Sequence, residues 1–193
     1  MGASRDRTSA MVPYLFLDVD GVLNAFAYDP GYVGFDDFDV HEVGVEQDDG
    51  GRRTFEMVLS GAMGRRLAAL RAEIIWTTTW EHHADRLIAP LCGLPSGLRV
   101  LARPPGVHRG WGQWKFDELR RAVGEEPRPF VWIDDDIDRF ESGALGARQW
   151  ADGLNVPSLL IAPDPRSGLH PGALEAIEAF VERVTADGSP AGH

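Results

Sequence analysis

Two aspartates one residue apart, Asp18 and Asp20, close the apolar run Val12 to Leu17, and Gly21 follows directly. A run this short with no charge inside reads as a strand buried on both faces, as in parallel sheets. The turn behind it exposes both carboxylates at the strand's carboxyl end, where open α/β sheets bind ligands. Taken alone, the pair is equally the pattern of a solvated turn. A second acidic group, Asp134, Asp135 and Asp136 with Asp138 beyond, ends another apolar run, Pro129 to Ile133. Acids packed so closely raise one another's pKa, so they are costly unless solvated or neutralised by a cation. Between the two groups lie Thr77, Thr78 and Thr79 at the end of a β-branched stretch, and Lys115, the one lysine beside eighteen arginines. A chain that writes its other cations as arginine has a use for one compact ammonium group.

The elements that must position these groups alternate. Glu73 to Thr79 is a second strand, Leu98 to Leu101 a third, Pro129 to Ile133 a fourth and Val156 to Ile161 a fifth. Helices are expected over Ser60 to Ala72 with Ser60 as N-cap, Trp80 to Ala89, Trp111 to Val123, Asp138 to Trp150 and Pro171 to Val184. The amino terminus of the helix behind the threonines adds backbone donors for an anion. Strand and helix in alternation predict an α/β fold, a mostly parallel, doubly wound sheet with helices on both faces and right-handed crossovers. The segment from Ala25 to about residue 59 interrupts it. Its DDGG turn between two alternating stretches predicts a β-hairpin lying over the site as a small lid. Asp36, Asp37, Asp39 and Asp48 lack calcium-loop spacing and read as a solvated, mobile part of that insert. One domain over 11–186 is expected, with residues 1–10 and 187–193 as disordered tails.

These motifs in this order resemble the haloacid dehalogenase-like (HAD) superfamily. FLDVDGVLN matches its first motif, an apolar strand followed by DxDGxx. The resemblance makes Asp18 the nucleophile that becomes an aspartyl phosphate and Asp20 the acid that protonates the leaving oxygen and later activates water. It implies a hydroxyl that binds the transferring phosphoryl group at Thr78, with Thr77 second and Thr79 beside them, and gives Lys115 the place of the third-motif lysine. It further implies Mg2+ held by Asp18, Asp134, Asp135 and the main-chain carbonyl of Asp20, with Asp138 as an alternative acid. The second aspartate is the phosphatase form of the motif. More narrowly, FLDVDGVLN, WTTTWE, WK and WIDDD look like the HAD domains associated with bacterial RNA-repair (Swiss Army Knife) proteins. That likeness implies a Mg2+-dependent phosphatase acting on a phosphorylated metabolite or, by analogy, an RNA or DNA end. A noncatalytic phosphate-binding domain on the same fold is the competing reading, and retention of both Asp18 and Asp20 speaks against it.

The 193 residues, 44% hydrophobic and 25% charged, are enough to bury a sizeable core. A net charge of −11 argues against a surface that coats nucleic acid, because such affinity comes from neutralising phosphates. Charge is uneven: residues 18–56 hold eleven acids against Arg52 and Arg53, whereas 98–128 hold seven basic residues against four acids. His108 and Arg109 could reach a substrate phosphate from that region, and His82 or His83 could contact substrate, although surface roles suit all of them. Cys92, the single cysteine, sits in an apolar setting and reads as a packed residue. The N-terminal stretch lacks the apolar centre of a secretory signal, and the expectation is a cytoplasmic protein without a membrane span.

Overall fold

A computed structural model describes residues 12–26, 34–47, 50–107, 112–141 and 146–187. Its centre is β1 (Tyr14–Leu17), paired in parallel with β4 (Glu73–Trp76) on one side and β6 (Phe130–Ile133) on the other. β5 (Arg99–Val100) extends the sheet beyond β4 and β7 (Ser158–Ile161) beyond β6, giving the order β5-β4-β1-β6-β7. The α/β Rossmannoid architecture expected from the alternation is therefore present. Strands are added outward on one side of β1 and then on the other, and such a switch point is where open α/β sheets bind ligands, at the carboxyl ends of β1, β4 and β6.

Period-two alternation divides the core between the two faces of this sheet. Leu15, Leu17, Ile74, Trp76, Val131 and Ile133 pack on one face with α1 (Gly61–Ala68), α2 (Ala89–Cys92) and α5 (Pro171–Asp187). Tyr14, Phe16, Ile75, Phe130 and Trp132 pack on the other with α3 (Gln113–Glu125) and α4 (Ala147–Asp152). Because both faces are covered, all four residues of β1 are buried, which explains the uninterrupted apolar run.

The insert is the expected antiparallel hairpin, β2 (Phe38–Glu46) with β3 (Arg52–Ser60). Val43, Val45, Met57 and Leu59 join the main core, so the hairpin is anchored along one face. Asp37 departs from the expectation of a solvated, mobile acid. It accepts hydrogen bonds from the Ser60 hydroxyl and from the Ala62 N–H at 2.6 Å, and pins the hairpin's base to the first turn of α1. Asp48 lies outside the described residues, whereas Asp36 and Asp39 are exposed.

Several boundaries differ from the sequence reading. Val12 is 39% exposed and precedes β1, and the three threonines lie beyond β4. The helix expected from Trp80 begins at residue 82 after a turn in which Glu81 takes φ of 47°, and Ala84–Ile88 is a π-helical turn before α2. α1 is shorter than expected and α3 runs two residues further. The helix expected over Asp138 to Trp150 is a 3-10 turn at Ile137–Glu141 and a separate α4 that Gly146 caps. α5 includes Asp187, where a disordered tail was expected to start; residues 1–10, 188–193 and Trp111 lie outside the described residues.

Gly64 lets α1 settle directly on the end of α2. A Cβ there would lie 1.8 Å from the carbonyl oxygen of Cys92, a backbone atom that cannot swing aside. We expect Gly64→Ala to destabilise the fold by about 1–3 kcal/mol through overpacking. Urea titration of the variant against the parent measures this, and an unchanged midpoint would contradict the close approach.

Candidate active site

Ladder hydrogen bonds continue one residue past each central strand and so fix where the acids stand. Asp18 N–H donates to the Ile133 carbonyl at 3.0 Å, Thr77 N–H to Leu17 at 2.9 Å, and Asp134 N–H to Ile161 at 3.2 Å. Asp18 and Asp134 thus leave adjacent parallel strands side by side. Lys115 arrives from the first turn of α3 and is only 3% exposed. Its ammonium donates to Asp18 Oδ2 and, at 3.1 Å, to Asp134 Oδ2. The other oxygen of Asp18 accepts from Val19 N–H at 2.7 Å, and that of Asp134 from Asp136 N–H at 2.9 Å.

Asp135 completes an acidic triad: one carboxylate oxygen of each of Asp18, Asp134 and Asp135 lies within 4.8 Å of the others. Gly21 makes room for it. With φ of 70° and a Cβ position 2.5 Å from the Asp135 carboxyl carbon, any side chain at residue 21 would be both strained and in collision. Asp138 stands apart, exposed and paired with Arg148 at 2.9 Å, so the DxxxD alternative has no support from its placement.

Three buried or half-buried carboxylates around one ammonium leave negative charge in excess. Burial pushes the Asp134 carboxyl up to about 8, with repulsion from Asp18 adding to it and Lys115 opposing. Burial also raises Asp18, against the pull of Lys115, Val19 N–H and the Thr78 hydroxyl. Asp135 rises to about 6 from burial and the charges of Asp136 and Asp18. Burial by itself would lower Lys115; attraction from Asp18 and Asp134 overcomes it, and the ammonium is held above its ordinary value. A set of hard oxygen donors with unbalanced negative charge fits a divalent cation such as Mg2+.

The remaining residues divide. Thr78 is buried with its hydroxyl against Asp18, and it accepts from Trp80 N–H at 3.3 Å. Thr77 is buried too, but its hydroxyl donates back to the Ile75 carbonyl at 3.4 Å and is directed at its own strand. Thr79 is exposed on the rim of a cleft of about 430 Å³. The sequence reading placed Asp20 at the site, and its carboxylate is held by two partners: Asn24 Nδ2 donates to Oδ1 at 3.0 Å and Trp80 Nε1 to Oδ2 at 2.8 Å. Asp20 is partly exposed and lines the cleft, outside the triad. His83 also lines that cleft while His82 is exposed; His108 and Arg109 lie outside the described residues. Cys92 is buried, and burial pushes its thiol up to about 11, as suits a packed residue.

Sequence reasoning passed over Asn24 and Trp80. Asn24 accepts from Val58 N–H of β3 at 2.9 Å while donating to Asp20, so it ties the hairpin to the acid. Trp80 meets Phe55 of β3 edge to face at 4.9 Å while its indole holds the other oxygen. The only signal in the sequence was asparagine four residues after Asp20 in a segment otherwise apolar.

A five-stranded parallel sheet, acids at the ends of its adjacent central strands and a lysine drawn between them define a chain of the HAD superfamily, which includes hydrolases and, among them, phosphatases. Within it, the chain belongs to the family described as the HAD domain in Swiss Army Knife RNA repair proteins, whose model matches residues 14–173. No curated protein and no solved structure matches the chain. No helix among the described residues is long and apolar enough to cross a membrane.

The raised carboxyls set the pH dependence of the metal-free protein. An acid whose folded pKa lies above its unfolded value of about 4 stabilises the fold fully below pH 4 and ceases to do so as pH rises through the folded value. For Asp134 that window runs from about 4 to about 8. In chelator, this site therefore contributes a fall in melting temperature from pH 5 to pH 9. Mg2+ should raise the melting temperature more at pH 8 than at pH 5, because it binds the deprotonated carboxylates. A Mg2+ shift that is equal at both values, or larger at pH 5, would contradict the assignment. Calorimetry of parent and Asp134→Asn proteins isolates the contribution.

Proposed function

We infer that the chain is a Mg2+-dependent phosphatase that hydrolyses phosphoric monoesters through an aspartyl-phosphate intermediate. The observation that carries this reading is the convergence of Asp18, Thr78 and Lys115 at one strand end with Asp20 two residues on. Asp18 attacks phosphorus and the bond to the leaving oxygen breaks, with Asp20 giving that oxygen its proton. Lys115 and the Thr78 hydroxyl offset the charge on the phosphoryl oxygens as Asp18 approaches, which is where preorganised donors contribute most. Asp20, now a carboxylate, takes a proton from water; the water oxygen attacks phosphorus, inorganic phosphate leaves and Asp18 is regenerated. Asp18, Asp134 and Asp135, with the Asp20 main-chain carbonyl, would hold Mg2+, which supplies positive charge beside the phosphoryl group when bound.

The buried ammonium supports catalysis in a second way. With Lys115 between them, Asp18 and Asp134 keep their positions before substrate arrives, so little reorganisation accompanies the attack. A phosphorylated metabolite and a nucleic-acid end both present the monoester this site needs, and the name of the family favours an RNA end.

The decisive variant is Asp18→Asn, which preserves shape and removes the nucleophile. Phosphate release should fall at least about a thousandfold, the scale of losing a covalent nucleophile. The melting temperature in chelator should stay the same or rise, since a buried charge is gone. Acid-quenched parent enzyme with 32P-labelled substrate should carry label on the peptide containing Asp18. Full residual turnover in Asp18→Asn would remove the proposed nucleophile, and absence of phosphate release from all monoesters would leave a phosphate-binding domain.

A further inference from the structure

The cleft above Asp20 has a composition that bears on what departs from the phosphate. Asp20, whose carboxyl would protonate the leaving oxygen, is among its lining residues, which brings the leaving alcohol to this cleft. Its volume of about 430 Å³ is within the roughly 300–1,000 Å³ range of small-molecule sites. One wall comes from β3, where the Arg53 guanidinium lies 4.7 Å from the centre of the Phe55 ring, and Phe55 in turn meets Trp80. Facing the same space, Phe26 is 62% exposed, an aromatic ring left in solvent at a cleft mouth.

Charge decides between two kinds of occupant. Arg53 is the one arginine or lysine in a lining that also holds two acids, Glu56 and Asp20, so the cleft offers no surplus positive charge for a second phosphate. Its surfaces are instead planar: two phenyl rings, an indole and a guanidinium, the groups on which bases stack. Thr79 and His83 stand among them with no side-chain hydrogen bond or ion pair among the described residues, free to meet polar ring edges.

Resting on the phosphatase reading, we propose that this cleft is the leaving-group site and that it takes a neutral nucleoside, its base against Phe26 and the Arg53–Phe55 wall and its esterified hydroxyl at Asp20. The substrate class is then a nucleoside phosphomonoester, with any further phosphate outside the cleft. A free mononucleotide and the terminal nucleotide of an oligonucleotide share that chemistry. Phe26 and Arg53 determine specificity without touching the reacting atoms.

The test measures kcat/KM with Mg2+ for adenosine 3′- and 5′-monophosphate, for trinucleotides phosphorylated at either end, and for glycerol 2-phosphate, which has no ring. Parent, Phe26→Ala, Phe26→Trp and Arg53→Ala proteins are compared; both positions are exposed, so folding is not at stake. The preference for the better nucleoside ester over glycerol 2-phosphate should fall about tenfold in Phe26→Ala and Arg53→Ala, through KM, and Phe26→Trp should restore it. The same fall with a trinucleotide assigns the cleft to oligonucleotide ends, and a fall confined to mononucleotides assigns it to free nucleotides. An unchanged preference overturns the cleft and leaves the phosphatase standing. Should no monoester be turned over, calorimetric titration with adenosine 3′-monophosphate decides. Binding weakened about tenfold by Phe26→Ala keeps the cleft and removes the phosphatase, whereas absent or variant-insensitive binding overturns both.

Discussion

One buried ammonium between two buried carboxylates is the constraint on which the rest of the molecule turns. Lys115 holds Asp18 and Asp134 in a space almost closed to water. An isolated ion in such a place costs several kcal/mol, and a pair repays that only with good geometry and filled lone pairs. Here the geometry comes from the sheet, because ladder bonds past β1 and β6 fix both backbones. The lone pairs are filled by Val19 and Asp136 N–H groups. Even so, the cluster stays short of positive charge once Asp135 is counted. That imbalance works against the stability of the metal-free core, and a cation held by the three carboxylates would offset it.

The aromatic packing behind the cluster serves the same end. Phe116, one residue after Lys115, stacks on Trp132 at 5.7 Å, and both stack on Phe140. These rings clamp the first turn of α3 against β6, so the lysine and Asp134 are held by a continuous apolar layer. Long cationic side chains lose much rotamer freedom when fixed, and burying the stem under this layer offsets that cost. The indole nitrogens of Trp76 and Trp132 meet no partner among the described residues. Core volume at the strand ends is filled there at some polar expense.

Much of this was legible in the sequence because it is local. β1 and β6 are unbroken apolar runs and β4 is one after Glu73, each followed by a charged or hydroxyl residue, so strand end and site residue are read together. Lys115 stood out by composition. What failed was punctuation: Glu81 in a left-handed conformation delays the helix after Thr78, and Gly146 restarts a helix that residue spacing alone carried through from Asp138. Helical periodicity survives such breaks, so it cannot report them. The sequence reading put Thr78 ahead of Thr77, and the direction of each hydroxyl is what separates them in space.

The hairpin was foreseen as a lid, but its consequence lies in contacts between residues far apart in the chain. Asn24 reaches Val58, thirty-four positions on, and caps a donor on the hairpin's edge strand that would otherwise be free to pair with another chain. The same amide holds one oxygen of Asp20, while Trp80, braced by Phe55, holds the other. Asp20 is therefore oriented by two side chains that follow strands of the sheet, Asn24 after β1 and Trp80 after β4, and both lean on β3 of the insert. A displacement of β3 would loosen both supports at once, since Val58 and Phe55 move together. The insert thus does more than line the cleft: the orientation of the Asp20 carboxylate and the shape of the space beside it both depend on contacts with one hairpin.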